Sequence, residues 1–191
     1  MNRLLAAFAA GLAAFGLSCG DEDVVCENPP LYPMTEPKYV LANVALAFNN
    51  PDPTFLGQVL DADFVFYFNP GDVGAELTTG YVIPASWGRR EFIRAAEKLI
   101  TSAKSVSFKC PWDTIGTPGA GVSEYEARTV LVFVVRVDDT RYYRAKGSYG
   151  YVFLKTPGVN WQLTAWRDYA SYHYVNGGEP NLGRILALYY E

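Results

Sequence analysis

Residues 124–169 read EYEARTVLVFVVRVDDTRYYRAKGSYGYVFLKTPGVNWQLTAWRDY, and two turn signals divide them. Asp138-Asp139 separates Glu124–Val137 from Arg141–Lys155, and Pro157-Gly158 separates the latter from Val159–Tyr169. Each piece is rich in β-branched and aromatic residues, which suit a pleated, half-buried surface. Three long consecutive strands joined by short turns predict an antiparallel meander. From Val130 onward the first strand is apolar on both sides. This predicts two covered faces, one under helices and one under the sheet's own curvature or a partner chain.

Upstream of the meander the periodicity changes. Leu41, Val44, Ala45 and Phe48 fall at i, i+3, i+4 and i+7, which predicts a helix from Glu36 to Asn49 stopped by Asn50-Pro51. Asp52-Pro53 opens a short second helix to Leu60, with Asp52 as its cap. Ala62–Phe68 is rich in aromatic and β-branched residues and predicts a strand, broken by Asn69-Pro70-Gly71. Residues 72–85 predict a loose hairpin. A third helix spans Gly88–Ala103, where Phe92, Ala96, Leu99 and Ala103 recur at helical spacing. Ser105–Pro111 reads as one more strand, and Gly177–Glu191 as a loop with a short helix.

The N-terminus is of another kind. Met1–Ser18 has one cation, Arg3, then an apolar run from Leu4 to Leu17 and a small residue before Cys19. These are the parts of a secretory signal. About 14 residues in a helix reach roughly 21 Å, short of the ~30 Å hydrocarbon core, and Asp21-Glu22-Asp23 follow at once. A cysteine directly after the cut resembles a bacterial lipoprotein site, where the thiol takes up lipid. Gly16-Leu17-Ser18 equally satisfies ordinary signal peptidase, so soluble export stays open beside the favoured lipid anchor. The resulting expectation is a protein of the bacterial envelope, held to the membrane through Cys19. Residues 19–35, with Pro29-Pro30 and Pro33, read as an extended tether.

Three cysteines are odd for an exported chain. If Cys19 carries lipid, Cys26 and Cys110 remain as a natural pair, 84 positions apart. Cys19–Cys26 and Cys19–Cys110 are the alternatives. A zinc site needs clustered Cys and His ligands, and the chain has one histidine, so no metal is expected. No cofactor fingerprint is present either. A net charge of −4 argues against nucleic acid, which calls for a clustered basic face.

Helix, short helix, strand, hairpin, helix and then a curved antiparallel meander is an α+β order, a sheet wrapped around N-terminal helices. From about Tyr39 to Tyr169 the chain resembles the nuclear transport factor 2-like superfamily of cystatin-like cones, which includes ketosteroid isomerases and polyketide-cyclase-like proteins. The resemblance is carried by Leu41–Phe48, Leu56–Pro70, Trp87–Phe92 and Asn160–Asp168. It implies a cone domain over residues 36–170, with 171–191 as a C-terminal extension able to cap the pocket or cover a sheet face. It also implies a possible homodimer through the outer sheet face.

The fold hosts unrelated functions, so chemistry has to come from residues. The isomerase mechanism needs a carboxylate base and a tyrosine donor for the enolate oxygen. The resemblance places Asn69 and Ala45 at those two positions, and neither can serve. Asp168, at the end of the last strand, and His173 are the remaining acid–base candidates. Ser171 has the residue types of a triad beside them but lacks a nucleophile elbow. Asp61 and Asp63 sit at a helix–strand junction, where capping is the expected role. Tyr67, Trp87, Phe133, Tyr149, Tyr151 and Trp166 are candidate walls of a cone pocket. The expectation is a non-enzymatic, envelope-anchored binding or interaction module holding a small apolar ligand. The alternative is an isomerase, dehydratase or hydrolase working through Asp168 and His173.

Overall fold

The computed structural model describes residues 30–50, 54–156, 159–169 and 180–190. Pro37, whose fixed φ suits a first helical position, opens α1 (Pro37–Asn49). A single turn and a half follows as α2 (Thr54–Val59), running directly into β1 (Leu60–Tyr67). Asp52, the expected cap, lies outside the described residues. The stretch between β1 and β2 (Ser86–Gly88) holds one isolated bridge, Glu76 to Val82, with Gly74 and Gly80 at φ 82° and 86° where the chain turns. Then come α3 (Arg89–Ser102), β3 (Ser105–Lys109) and a 3-10 turn at Trp112–Thr114. The long strands are β4 (Glu124–Arg136), β5 (Tyr142–Lys155) and β6 (Gln162–Tyr169), and α4 (Leu182–Ala187) lies near the C-terminus.

Six strands form one sheet in the order β2-β1-β6-β5-β4-β3. Every neighbouring pair is antiparallel except β1 and β6, which run parallel with Phe66 opposite Trp166. The sheet is mixed, and it stays open, with β2 and β3 at its edges. β6 begins later than the sequence suggests, at Gln162 instead of Val159. Trp161 donates its N–H to Met34 O (2.7 Å), tying the tether to the foot of the strand.

One face of the sheet makes the core. Strand alternation sends Phe64, Phe66 and Phe68 inward from the β1 segment, and Ala127, Thr129, Leu131, Phe133 and Val135 inward from β4. α1 lies against β3, and α3 against β1. The rings meet edge to face or stacked: Phe48 on Phe108 at 5.1 Å between centroids, Phe64 on Phe92 at 5.2 Å, and Phe108 on Phe133 at 5.5 Å. Gly150 on β5 is where Trp166 lies flat. A Cβ there would come within 2.7 Å of the indole Cε2.

The other face is more open. Val130 is 46% exposed, and Val132 and Val134 are half-buried, so among the described residues β4 is covered on one side only. The apolar run satisfies β-propensity on that face without a second layer.

Candidate functional site

Asp168 alternates inward from β6 and is 1% exposed. Its Oδ2 accepts the N–H of Gly183 (2.8 Å) at the start of α4, and the residue also borders a pocket of about 410 Å³ with Tyr67, Phe68 and Arg167. Gly183 comes so close to the sheet that a Cβ would lie 2.9 Å from Phe68 and 3.0 Å from Phe66. Asn181 caps the helix in the ordinary way, accepting from Arg184 N at 2.8 Å. Its amide also donates to Asp72, which is 1% exposed and ion-paired with Arg184 Nη1 at 3.0 Å. Asn69 donates to the same carboxylate (3.1 Å). Leu182, Ile185 and Leu186 are buried, and Tyr190 stacks on Trp87 at 5.0 Å. The C-terminal segment therefore fills the concave side of the sheet beside Phe66, Phe68 and Trp87.

The candidate pocket walls separate accordingly. Trp87, Phe133 and Trp166 belong to the packed core, 0–3% exposed, and touch rings in place of a void. The indole N–H of Trp166 is buried with no hydrogen-bond partner among the described residues. Tyr67 and Tyr151 lie outside that packed core. They occupy outward positions, since Phe66 and Val152 beside them point in. The side chain of Tyr149, and all of Ser171 and His173, lie outside the described residues. Asp61 turns its Oδ1 onto the N–H of Asp63 (2.9 Å) and its Oδ2 toward Lys155 (3.6 Å), a local turn contact within β1 in place of a helix cap.

An open cavity lies elsewhere, a groove of about 760 Å³ between α1 and the end of β3. Ala42, Ala45 and Leu46 form its helical wall, Val130 and Val132 the sheet wall, and Tyr32 and Trp112 its ends. Two asparagines of α1 tie the helix to neighbouring segments. Asn43 clamps the tether, accepting from Tyr32 N (2.8 Å) and donating to Tyr32 O (2.9 Å). Asn49 clamps β3 at Phe108 in the same way. Tyr32 stacks on Tyr39 and tilts against Trp112 at 5.7 Å.

The titratable groups of this groove are Tyr32, Lys109 and Cys110. Cys110 is 7% exposed, and its Sγ lies 2.9 Å from Thr129 Oγ1. Burial pushes the thiol up to about 11, so it is protonated near neutrality and no activated nucleophile. Cys26, its suggested partner, and Cys19 both lie outside the described residues. Ala45, at the position of the isomerase tyrosine, contributes only a methyl group to the groove. Neither clamp was foreseen from sequence. Asn181 carries a readable signal, an N-cap residue before the apolar Leu182–Leu186, whereas Asp72 looks like any turn residue.

Among solved structures, a candidate aromatic-ring hydroxylase from Novosphingobium aromaticivorans aligns with a TM-score of 0.58 at 11% identity, over 83% of this chain and 99% of that one. A candidate scytalone dehydratase from the same organism gives 0.51 at 12% identity, over 69% of this chain and 79% of its own. A nuclear transport factor 2-like superfamily protein from Salmonella enterica gives 0.51 at 12% identity, over 74% and 93%. No protein-family model matches the chain, and no curated protein matches it in sequence. Identities this low establish the fold alone.

Proposed function

We propose that this chain, which has the nuclear transport factor 2-like cone fold, is a non-enzymatic binding module. In this reading it is exported to the bacterial envelope, anchored through Cys19, and holds a small apolar ligand. The fold itself hosts both ligand carriers and enzymes, so the choice rests on the site. The observation that carries it is the contrast between two places. The groove between α1 and β3 is open and apolar, while the concave side holds α4 and engages Asp168 with Gly183 N–H. A base for isomerisation, dehydration or hydrolysis has to reach a substrate proton. Asp168 is 1% exposed and already bonded to main chain. The ligand position accordingly moves from the cone interior, where the sequence reading put it, to the groove.

The test is native mass spectrometry and solvent extraction of the purified mature domain, alongside Ala45→Trp, which fills the groove from α1. A bound apolar molecule present in the parent and absent from the variant is the expected result. Equal uptake of an apolar fluorescent probe by both proteins would remove the groove from consideration. Turnover of a small-molecule substrate that disappears in Asp168→Asn would restore the enzyme reading. Intact mass of the native protein reads the anchor, as a diacylglyceryl adduct on Cys19 or a bare thiol.

A further inference from the structure

The exposed face of the sheet carries an ordered row of side chains. The strand register sets Arg128 on β4 opposite Tyr151 on β5, Tyr151 opposite Arg167 on β6, and Arg167 opposite Tyr67 on β1. Cation and ring thus alternate across four neighbouring strands. Arg128 and Arg167 are exposed, Tyr67 is 39% exposed, and Tyr151 is half-buried. The Arg167 guanidinium stands over two rings at once, 5.5 Å from the Tyr67 centroid and 4.9 Å from that of Phe153. Such stacking uses the faces of the guanidinium and not its N–H edge, whose donors can serve a carboxylate bidentately. Tyr169 meets Tyr151 edge to face at 5.7 Å and steadies that ring.

Arg136 and Arg144 lie on the same face, against Glu124 and Glu126. A chain of net charge −4 has therefore gathered cations and rings on one surface. The spacing along the row is fixed by the sheet. Alternate strands lie about 9.5 Å apart, so the two tyrosines repeat at that distance and the two arginines do likewise. This repeat matches the length of a disaccharide. Rings offer flat apolar platforms to the C–H faces of sugars, and guanidinium forks suit their carboxylates.

We propose that the outer sheet face, centred on Tyr67, Tyr151 and Arg167, binds a linear anionic polysaccharide of uronate type. Tyr67, Tyr151 and Arg167 do not line the α1–β3 groove, and the inference does not depend on a ligand there. Single-stranded nucleic acid would also offer stackable rings and negative charge, but its bases repeat at a shorter distance than the tyrosines.

Affinity electrophoresis and calorimetry of the full chain with polygalacturonate test this, with neutral dextran and oligo-deoxythymidylate as comparison probes. Binding to polygalacturonate is expected at least tenfold tighter than to dextran, and weakening as salt rises. Tyr67→Ala and Arg167→Gln should each reduce it about tenfold. Both residues are exposed, so the thermal midpoint should stay near that of the parent. Ala45→Trp should leave it unchanged, which keeps this result distinct from the fate of the groove. Equal affinity for dextran, tighter binding of the oligonucleotide, or indifference to both variants would overturn the proposal. Self-association that buries Tyr67, seen by sedimentation and abolished by Tyr67→Ala, would overturn it as well.

Discussion

Asn49 serves Phe108 as a neighbouring strand would. Its Nδ2 donates to the Phe108 carbonyl at 2.9 Å, and its Oδ1 accepts the Phe108 N–H at 2.7 Å. β3 is an edge of the sheet, and an edge strand exposes a row of unpaired backbone groups. One amide side chain at the end of α1 closes part of that row and ties helix to sheet.

Asn49→Ala should lose both bonds and destabilise the protein by about 1–2 kcal/mol. Asn49→Asp should cost at least as much, because a carboxylate accepts from the N–H but meets the carbonyl with negative charge. Urea denaturation reads both, as a lower midpoint at unchanged slope.

Gly150→Ala should be costlier than its single methyl suggests, about 1–3 kcal/mol, because the new Cβ overlaps the indole of Trp166. Pairing it with Trp166→Leu should recover part of that cost relative to the sum of the two single changes. Simple additivity in a denaturation cycle would show that Gly150 is needed for a reason other than the indole.

The clasp around Asp72 should respond asymmetrically. Asp72→Asn keeps hydrogen-bonding capacity toward Asn181 and leaves Arg184, one-third exposed, within reach of water. Arg184→Met removes the ion-pair partner of a carboxylate that is 1% exposed and keeps the amide donors of Asn69 and Asn181. We expect about 1 kcal/mol for the first change and about 3 kcal/mol for the second. Hydrogen exchange at 182–187 should rise more in Arg184→Met. The reverse order would mean that the amide contacts, and not the ion pair, hold the clasp together.

Cys110 makes stability fall in alkali. Its folded value of about 11 stands above the ordinary 9.0, chiefly through burial. Between those values the unfolded chain gives up the thiol proton and the folded chain keeps it, so the unfolded state binds fewer protons and stability declines as pH rises. The loss should approach about 2–3 kcal/mol near pH 11 in the reduced protein. Cys110→Ala should show a visibly shallower decline over pH 9–11, and an identical slope would contradict the assignment.

Much of this fold is legible in the chain because periodicity is local. The stripe Leu41, Val44, Ala45 and Phe48 gives α1, the Phe92–Leu99 repeat gives α3, and the turns at 138–139 and 157–158 divide the meander. What escapes is set by distant partners. Period-2 alternation through Phe64, Phe66 and Phe68 already sends Tyr67 outward, yet a ring is equally plausible as a pocket wall until the phase is fixed. Register shifts within β5 and β6 add to that ambiguity for Tyr151. Asp168 illustrates the same limit. Its position at a strand end fits a catalytic base, and only the return of α4, from 15 residues downstream, gives its oxygen a structural task.

The parallel pairing of β1 with β6 has a consequence in time. Tyr67 finds Arg167 and Leu60 finds Leu163 about a hundred residues later in the chain. Neither strand closes the sheet until nearly the whole polypeptide has emerged, and such long-range pairing folds slowly. A chain synthesised from its N-terminus would therefore remain threadable until β6 appears.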